Sequence, residues 1–226
     1  MAIQFLKKEN IQQFLHARDA TCMTVYLPRP GRNTGKKGNE IANILLEKTA
    51  ALLERHGLQK QEIDAFLEPV DDALSEKDFW VDQGKCLLVL ARTHFQKFFF
   101  LPFKCFPFSY VGDEFYLLPV LNMFSKEVQS FMPVLGRDDV SIDLNDVMPA
   151  AANGQVKALF LRKDTDRYGY YDKINSTLII NGVKRSGDAS LHNTAAIETW
   201  RHGGQVYLLE AEKMPVPGTF VNAVMR

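Results

Sequence analysis

The chain has little cysteine, little tryptophan and no net charge: three Cys, two Trp, and 27 Lys+Arg against 27 Asp+Glu. Cys22, Cys86 and Cys105 are odd in number, widely spaced and contain no Cys-x-x-Cys pair. That pattern speaks against a disulfide framework or a zinc knuckle and for a reducing compartment, with each thiol a small buried core residue. The charge balance holds along the chain, with 17 basic and 18 acidic residues through position 140 and 10 and 9 after it. A protein held to nucleic acid by its overall field is thereby excluded, so any basic site must be local. Long hydrophobic runs are also missing. The most apolar stretch, Phe98–Tyr110, is broken by Pro102, Lys104 and Pro107, well short of the ~20 residues a spanning helix needs. The opening MAIQFLKKENIQQF has no apolar core of a secretory signal. The expectation is a soluble, cytoplasmic protein with no membrane partner.

What is present is a globular composition: 226 residues, 46% of them apolar, enough to bury about 70% of the unfolded surface without staples. At about 100–150 residues per domain, this length suits two small domains. Ile3–Ala17 suits a short helix, and Cys22–Leu27 a strand ending at Pro28. Residues 28–39 are turn formers and bases. Ile41, Ile44, Leu45, Leu52 and Leu53 recur at helical spacing up to His56, where Gly57 closes the helix. A second helix covers Lys60–Ser75, broken or ended near Pro69. Lys85–Arg92 and Phe95–Leu101 are strands joined by a Thr-His turn, Phe106–Val111 is a third, and Glu114–Phe124 is a helix closing the domain. The polar stretch 125–141, with Pro133 and Gly136, reads as a linker.

After it the pattern restarts. Helix Leu144–Asn153, strand Val156–Leu161, a tyrosine-rich polar segment (162–176), and a strand at Thr177–Ile180 are followed by a helix from an Asp188 N-cap to Arg201. Gly203-Gly204 stop it, and strands at Gln205–Leu209 and Phe220–Met225 complete an α/β sandwich. The fold class is therefore α+β or α/β, with two mixed sheets flanked by helices. The boundaries fall at 1–124, 125–141 (linker) and 142–226.

The strongest candidate site is the loop after the first strand, where Arg29, Arg32, Lys36 and Lys37 stand together with no acid between them. Gly31–Lys37 sits between strand and helix as a phosphate-binding loop does. Its spacing, however, is GxxxGK, and Lys37 stands where a magnesium-binding Ser or Thr belongs. A basic loop touching RNA phosphates and a solvated surface turn both remain open. Gly203-Gly204-Gln205 reproduces a release-factor tripeptide but falls at a helix end and opens an apolar strand, where turn geometry explains it. Asp164 and Asp166 are close in sequence but lack a third acid or a His, so no metal site is expected. His192 and His202 have no Ser or Cys partner at hand for a hydrolase triad. The aromatic run Phe95–Phe108 reads as core rather than a base-stacking platform. No catalytic residue, metal or cofactor is expected.

Three stretches carry a family resemblance. One is Thr24-Val25-Tyr26-Leu27-Pro28 with its basic loop and long helix. The next runs from Phe79-Trp80 through Gly84–Leu90 and Phe99-Phe100-Leu101-Pro102 to Val111–Pro119. The last is Leu191–Thr199 with Gly203–Tyr207 and Met214-Pro215. In this order they resemble the bacterial members of the archaeo-eukaryotic release factor family, relatives of peptide-release factor one and Pelota. The resemblance implies a ribosome-associated protein. Its N-terminal domain would face the decoding region, and its C-terminal domain would be similar to ribosomal proteins that bind kink-turn RNA and would dock a translational GTPase. It also implies an RNase H-like middle domain, but only the linker lies where that domain belongs. The Asn-Ile-Lys-Ser stop-codon motif and the glycine- and lysine-bearing helix start that grips kink-turn RNA are absent as well.

The expected function is a non-catalytic, translation-associated module that binds the ribosome, ribosomal RNA or a translation partner. Arg29, Arg32, Lys36 and Lys37 would contact phosphates, and His192, Trp200 and Arg201 on the last helix would dock a protein such as a translational GTPase. The alternative is a protein-interaction module, homodimeric or otherwise, with no RNA role. A second alternative is a phosphate-ester or nucleotide hydrolase using Lys36 with Asp164 and Asp166.

Overall fold

The computed structural model describes residues 3–29, 35–75, 84–126 and 140–226, with the side chains of 35–39 excepted. Two compact units divide the chain, Met1–Phe115 and Tyr116–Arg226. Each is a mixed α+β structure.

The first unit is built on a five-stranded sheet in the order β1-β4-β3-β2-β5. Its strands are β1 (Gln4–Phe5), β2 (Arg18–Pro28), β3 (Cys86–Arg92), β4 (Phe95–Leu101) and β5 (Phe108–Glu114). All pairings are antiparallel except β1 with β4. β2 and β3 are central and read as nearly continuous apolar runs because both sheet faces are covered. On one face Met23, Val25, Leu27, Val89 and Phe100 meet Leu45 and Leu53 of α2 (Gly35–Arg55) and Phe66 and Val70 of α3 (Lys60–Ser75). On the other, Phe14 of α1 (Lys8–Leu15) packs edge-on against Phe95, Phe99 and Phe115, with ring centroids 5.7–6.2 Å apart. Phe98, Phe99 and Phe100 are thus core on both faces, whereas Phe106 and Phe108, expected in the same core, are exposed. α3 continues through Pro69 to Ser75 rather than ending there.

The cysteines correct the reading of three free core thiols. Cys86 and Cys105 form a disulfide, their Cα atoms 5.9 Å apart and 19 residues apart in sequence. The sheet makes this pair: β4 returns the chain past the start of β3, so the turn following Leu101 brings Cys105 to Cys86. Cys22 alone is free; it is buried, and burial pushes its thiol up to about 12.

In the second unit the sheet order is β11-β7-β12-β6, from β6 (Val140–Ser141), β7 (Val156–Arg162), β11 (Gln205–Leu209) and β12 (Val221–Met225). β7 runs parallel to β11 and antiparallel to β12. α5 (Leu144–Ala152) and α6 (Leu191–Arg201) pack on it, and Phe160 stacks on Tyr207 at 5.0 Å. A smaller sheet, β10-β8-β9, is made from β8 (Tyr168–Asp172), β9 (Thr177–Asn181) and β10 (Ala189–Ser190).

α4 (Leu118–Phe124) belongs to this unit and not, as the sequence pattern suggested, to the first. Side-chain hydrogen bonds hold it there. Asn193 Oδ1 of α6 accepts the Leu117 and Leu118 N–H groups at 2.8 and 3.2 Å. Asn122 Oδ1 and Ser125 Oγ accept the Leu208 and Val206 N–H groups at 2.8 and 2.9 Å. Those two bonds satisfy the outer edge of β11, which would otherwise be open.

Among the described residues no helix is long and apolar enough to cross a membrane.

Candidate functional site

Of the four loop cations only Arg29 is described with its side chain. Arg29 is half-buried, its Nη1 donating to the Gly84 carbonyl at 3.4 Å and its backbone N–H to Lys85 O at 3.0 Å. Lys36 and Lys37 lie in the first turn of α2, where positive charge opposes the helix dipole. Arg32 and the side chains of Lys36 and Lys37 fall outside the described residues. Lys36 belongs to the first unit, whereas Asp164 and Asp166 belong to the second.

His192, Trp200 and Arg201 are placed on α6, but not as a docking face. Every residue from Leu191 to Trp200 is buried, because α4, α5, β7, β8 and β11 surround the helix. A helix buried all round must satisfy its polar side chains internally, and this one does so through two clusters.

The first cluster lies at the helix start. Ser190 is the N-cap in place of Asp188, its Oγ accepting the Asn193 N–H at 3.1 Å and donating to Asp166 Oδ1 at 2.9 Å. Asp166 also accepts the Arg167 N–H at 2.8 Å. Burial pushes the Asp166 carboxyl above the usual carboxylate range, while the Ser190 hydroxyl, the Arg167 and His192 N–H groups and the Lys184 charge pull it back. The neighbouring phenols respond in kind. Tyr168 is pushed up to about 12 by burial and then by the Asp166 charge, and Tyr116 rises for the same two reasons. His192 Nδ1 lies 3.2 Å from the Thr165 carbonyl, which can only accept, so Nδ1 carries the proton. Burial lowers this ring to about 4 and keeps it neutral.

Ser, His and Asp therefore stand together, yet not as a hydrolytic relay. The serine proton is directed to the carboxylate, and the free lone pair of His192, at Nε2, is buried with no partner. A nucleophile needs that nitrogen within hydrogen-bond reach. The trio caps and fixes α6.

The second cluster centres on Glu198, whose side chain is 1% exposed. Lys173 Nζ approaches one oxygen at 2.8 Å and Arg201 Nη1 holds the other. One carboxylate between two cations leaves this cluster with net positive charge. Through Lys173 it also ties the β8–β9 turn to the helix.

That turn leads to a feature not legible as a site in the sequence. Among the described residues β9 is the outer strand of its sheet and is hydrogen-bonded to β8 alone. Its Ile179 and Ile180 are 52% and 41% exposed, and Tyr170, Ile174 and Val183 beside them are also exposed. Strand edges elsewhere in the unit are managed: β11 by Asn122 and Ser125, and β6 and β10 by being two residues long. β9 has none of the usual protection, neither Pro nor Lys within it, nor a bulge in its register. Gly169 opposite is obligatory, since a Cβ there would stand 1.9 Å from the Ile179 carbonyl oxygen. The hairpin is flanked by Lys173, Lys184 and Arg185. Its acids Asp172 and Asp188 are taken up by turn N–H groups and by Asn175 and Asn181.

Gly203-Gly204-Gln205 lies at the exit of α6. Gly203 has φ +78°, Gly204 donates to Thr199 O, and Gln205 Oε1 accepts the Lys126 N–H at 2.8 Å. The tripeptide is built into the packed unit. Among the described residues no three His, Cys, Asp or Glu side chains are grouped to hold a metal ion. No known protein family and no curated protein matches the chain in sequence.

Proposed function

We propose that this protein is a non-catalytic, translation-associated binding module that recruits a protein partner by strand addition to β9. The observation that carries the reading is the unprotected outer edge of β9 with its exposed Ile179 and Ile180. An added strand satisfies the row of backbone donors and acceptors and covers alternate apolar side chains. The partner strand is apolar, to cover the exposed Ile179 and Ile180 along this edge. The link to translation is supported by the resemblance to the archaeo-eukaryotic release factors.

Sucrose-gradient sedimentation of tagged protein from cells tests this reading. Wild type is expected in the ribosomal fractions and Ile179→Lys in the light ones. Wild type confined to light fractions, or Ile179→Lys sedimenting with wild type, overturns it. Loss of heavy sedimentation on replacing Arg32, Lys36 and Lys37 by Ala, with Ile179→Lys unaffected, assigns the contact to RNA instead. Concentration-dependent self-association abolished by Ile179→Lys assigns the edge to a second copy of the chain.

A further inference from the structure

Among the described residues β5 is the outer strand of the first unit's sheet and pairs with β2 alone. An outer strand presents a row of backbone donors and acceptors that its sheet does not use. α2 lies over this border, and a groove of about 540 Å³ runs between the helix and residues 107–109 at the start of the strand. Strand alternation settles which side chains face it. Ser109 pairs with Val25, a core residue beneath α2, so its side chain is on the helix side. Phe108 pairs with Tyr26 and turns its ring to the opposite face, 6.2 Å from the Tyr26 ring, so it offers the groove its backbone.

The helix side is a stripe at three- and four-residue spacing. Leu45 points into the core, while Ile41 and Ile44 beside it are 42% and 52% exposed, and Lys48, Leu52 and Arg55 continue the stripe along the groove. Among the described residues no acidic side chain lines it; Glu47 lies on the other flank of α2, in the groove toward α3. Lys48 and Arg55 form no ion pair among the described residues, and neither has an acid three or four positions away on the helix. Two exposed isoleucines and two bases without a carboxylate therefore stand beside an open strand edge. A second copy of the chain would bring the same two bases to the groove and no acid, so charge opposes self-association at this border.

We propose that this groove receives an extended acidic segment of a partner protein, added as a strand beside β5, with its apolar side chains on Ile41 and Ile44 and its carboxylates on Lys48 and Arg55. Backbone bonds to β5 hold the segment, and the pattern of helix-facing side chains selects it. The site belongs to the first unit and is independent of the reading of β9.

Titration of the full chain with the capped peptides VTVTETE and its reverse ETETVTV, followed by backbone amide NMR shifts, tests the site. The lysine peptides VTVTKTK and KTKTVTV are the controls, and both orders are used because an added strand can run either way. The expected result is saturable shifts at Ser109 and Tyr110 and along Ile41–Lys48 with at least one glutamate peptide, and none with the lysine peptides. Lys48→Glu combined with Arg55→Glu is expected to weaken the glutamate peptide at least about tenfold and to admit a lysine peptide, an exchange of preference that misfolding would not produce. Ile44→Asp, at an exposed position, is expected to abolish binding with Lys48 and Arg55 intact. No saturable shift at about 1 mM glutamate peptide, equal binding of the lysine peptides, or unchanged affinity in the double reversal overturns the proposal. So does concentration-dependent shifting of the same amides without peptide, which would assign the border to a second copy.

Discussion

The Ser190 hydroxyl donates to Asp166 Oδ1 at 2.9 Å while accepting the Asn193 N–H at 3.1 Å. One side chain thus closes the N-terminus of a buried helix and partners a buried carboxylate. Ser190→Ala removes both bonds and is expected to cost about 2–3 kcal/mol, the sum of a lost cap and an unsatisfied buried group. Urea unfolding measures it. Ester or phosphate-ester turnover lost in Ser190→Ala but present in wild type would contradict the structural role.

The pH dependence of stability follows from His192. Unfolded, its ring takes a proton near pH 6.5; folded, burial postpones this to about 4. The stability it contributes is complete above pH 6.5 and is lost as the pH falls toward about 4, by about 3 kcal/mol at ~1.4 kcal/mol per unit. Asp166 acts in the opposite sense. Its raised pKa means the folded state holds the proton more tightly, so its contribution grows as the pH falls toward the ordinary 3.8. Unfolding free energies of wild type and His192→Asn between pH 7 and 4 separate the two. The asparagine amide replaces the donor to Thr165 without titrating, and the acid-side loss should shrink. An unchanged slope would show that His192 does not titrate in this window.

Labelling reports on the disulfide. Purified under non-reducing conditions and unfolded without reductant, the chain should take up one alkyl group, at Cys22; with reductant, it should take up three. The folded protein should resist labelling, because the Cys22 thiol is buried and raised to about 12. Cys105→Ala opens a 19-residue loop and is expected to cost about 3 kcal/mol of stability. Intact-mass spectrometry and guanidinium unfolding give the two readouts.

Glu198 is expected to be the most sensitive charged position in the second unit. Glu198→Gln leaves Lys173 and Arg201 facing a neutral group in a buried setting, at about 3–5 kcal/mol. Lys173→Ala should cost under about 1 kcal/mol, because the lysine side chain is 46% exposed. Thermal denaturation of the two variants compares them directly, and equal losses would mean that the carboxylate is not held as described.

Much of the sheet architecture was legible because its signals are local. The apolar run Lys85–Arg92, the Thr-His turn, Gly57 after α2, and strands near Val156–Leu161 and Gln205–Leu209 all stand within a residue or two of expectation, and the strand expected at Cys22–Leu27 is present but begins four residues earlier, at Arg18. What was not legible depends on distant partners. Nothing local in Leu118–Phe124 reports that Asn193, more than 70 residues on, supplies the acceptor that fixes it in the second unit. The Cys86–Cys105 pair exists only once β4 has folded back on β3. β8 was hidden in a polar, tyrosine-rich segment, although Asp172–Ser176 is a turn built on Asp172 side-chain bonds. His192, Trp200 and Arg201 looked like surface because α6 is polar along much of its length; its polar groups are instead satisfied inside the unit.

Backbone hydrogen exchange on β9 tests the central claim most directly. In the isolated protein the outward-facing amides among Thr177–Asn181 should exchange rapidly, while those bonded to β8 are protected. In the heavy complex recovered from the sucrose gradient, the outward amides should become protected, and Ile179→Lys should abolish both the complex and the protection. Protection already present in the isolated, monomeric chain, or outward amides that stay fast in the complex, would contradict strand addition at this edge.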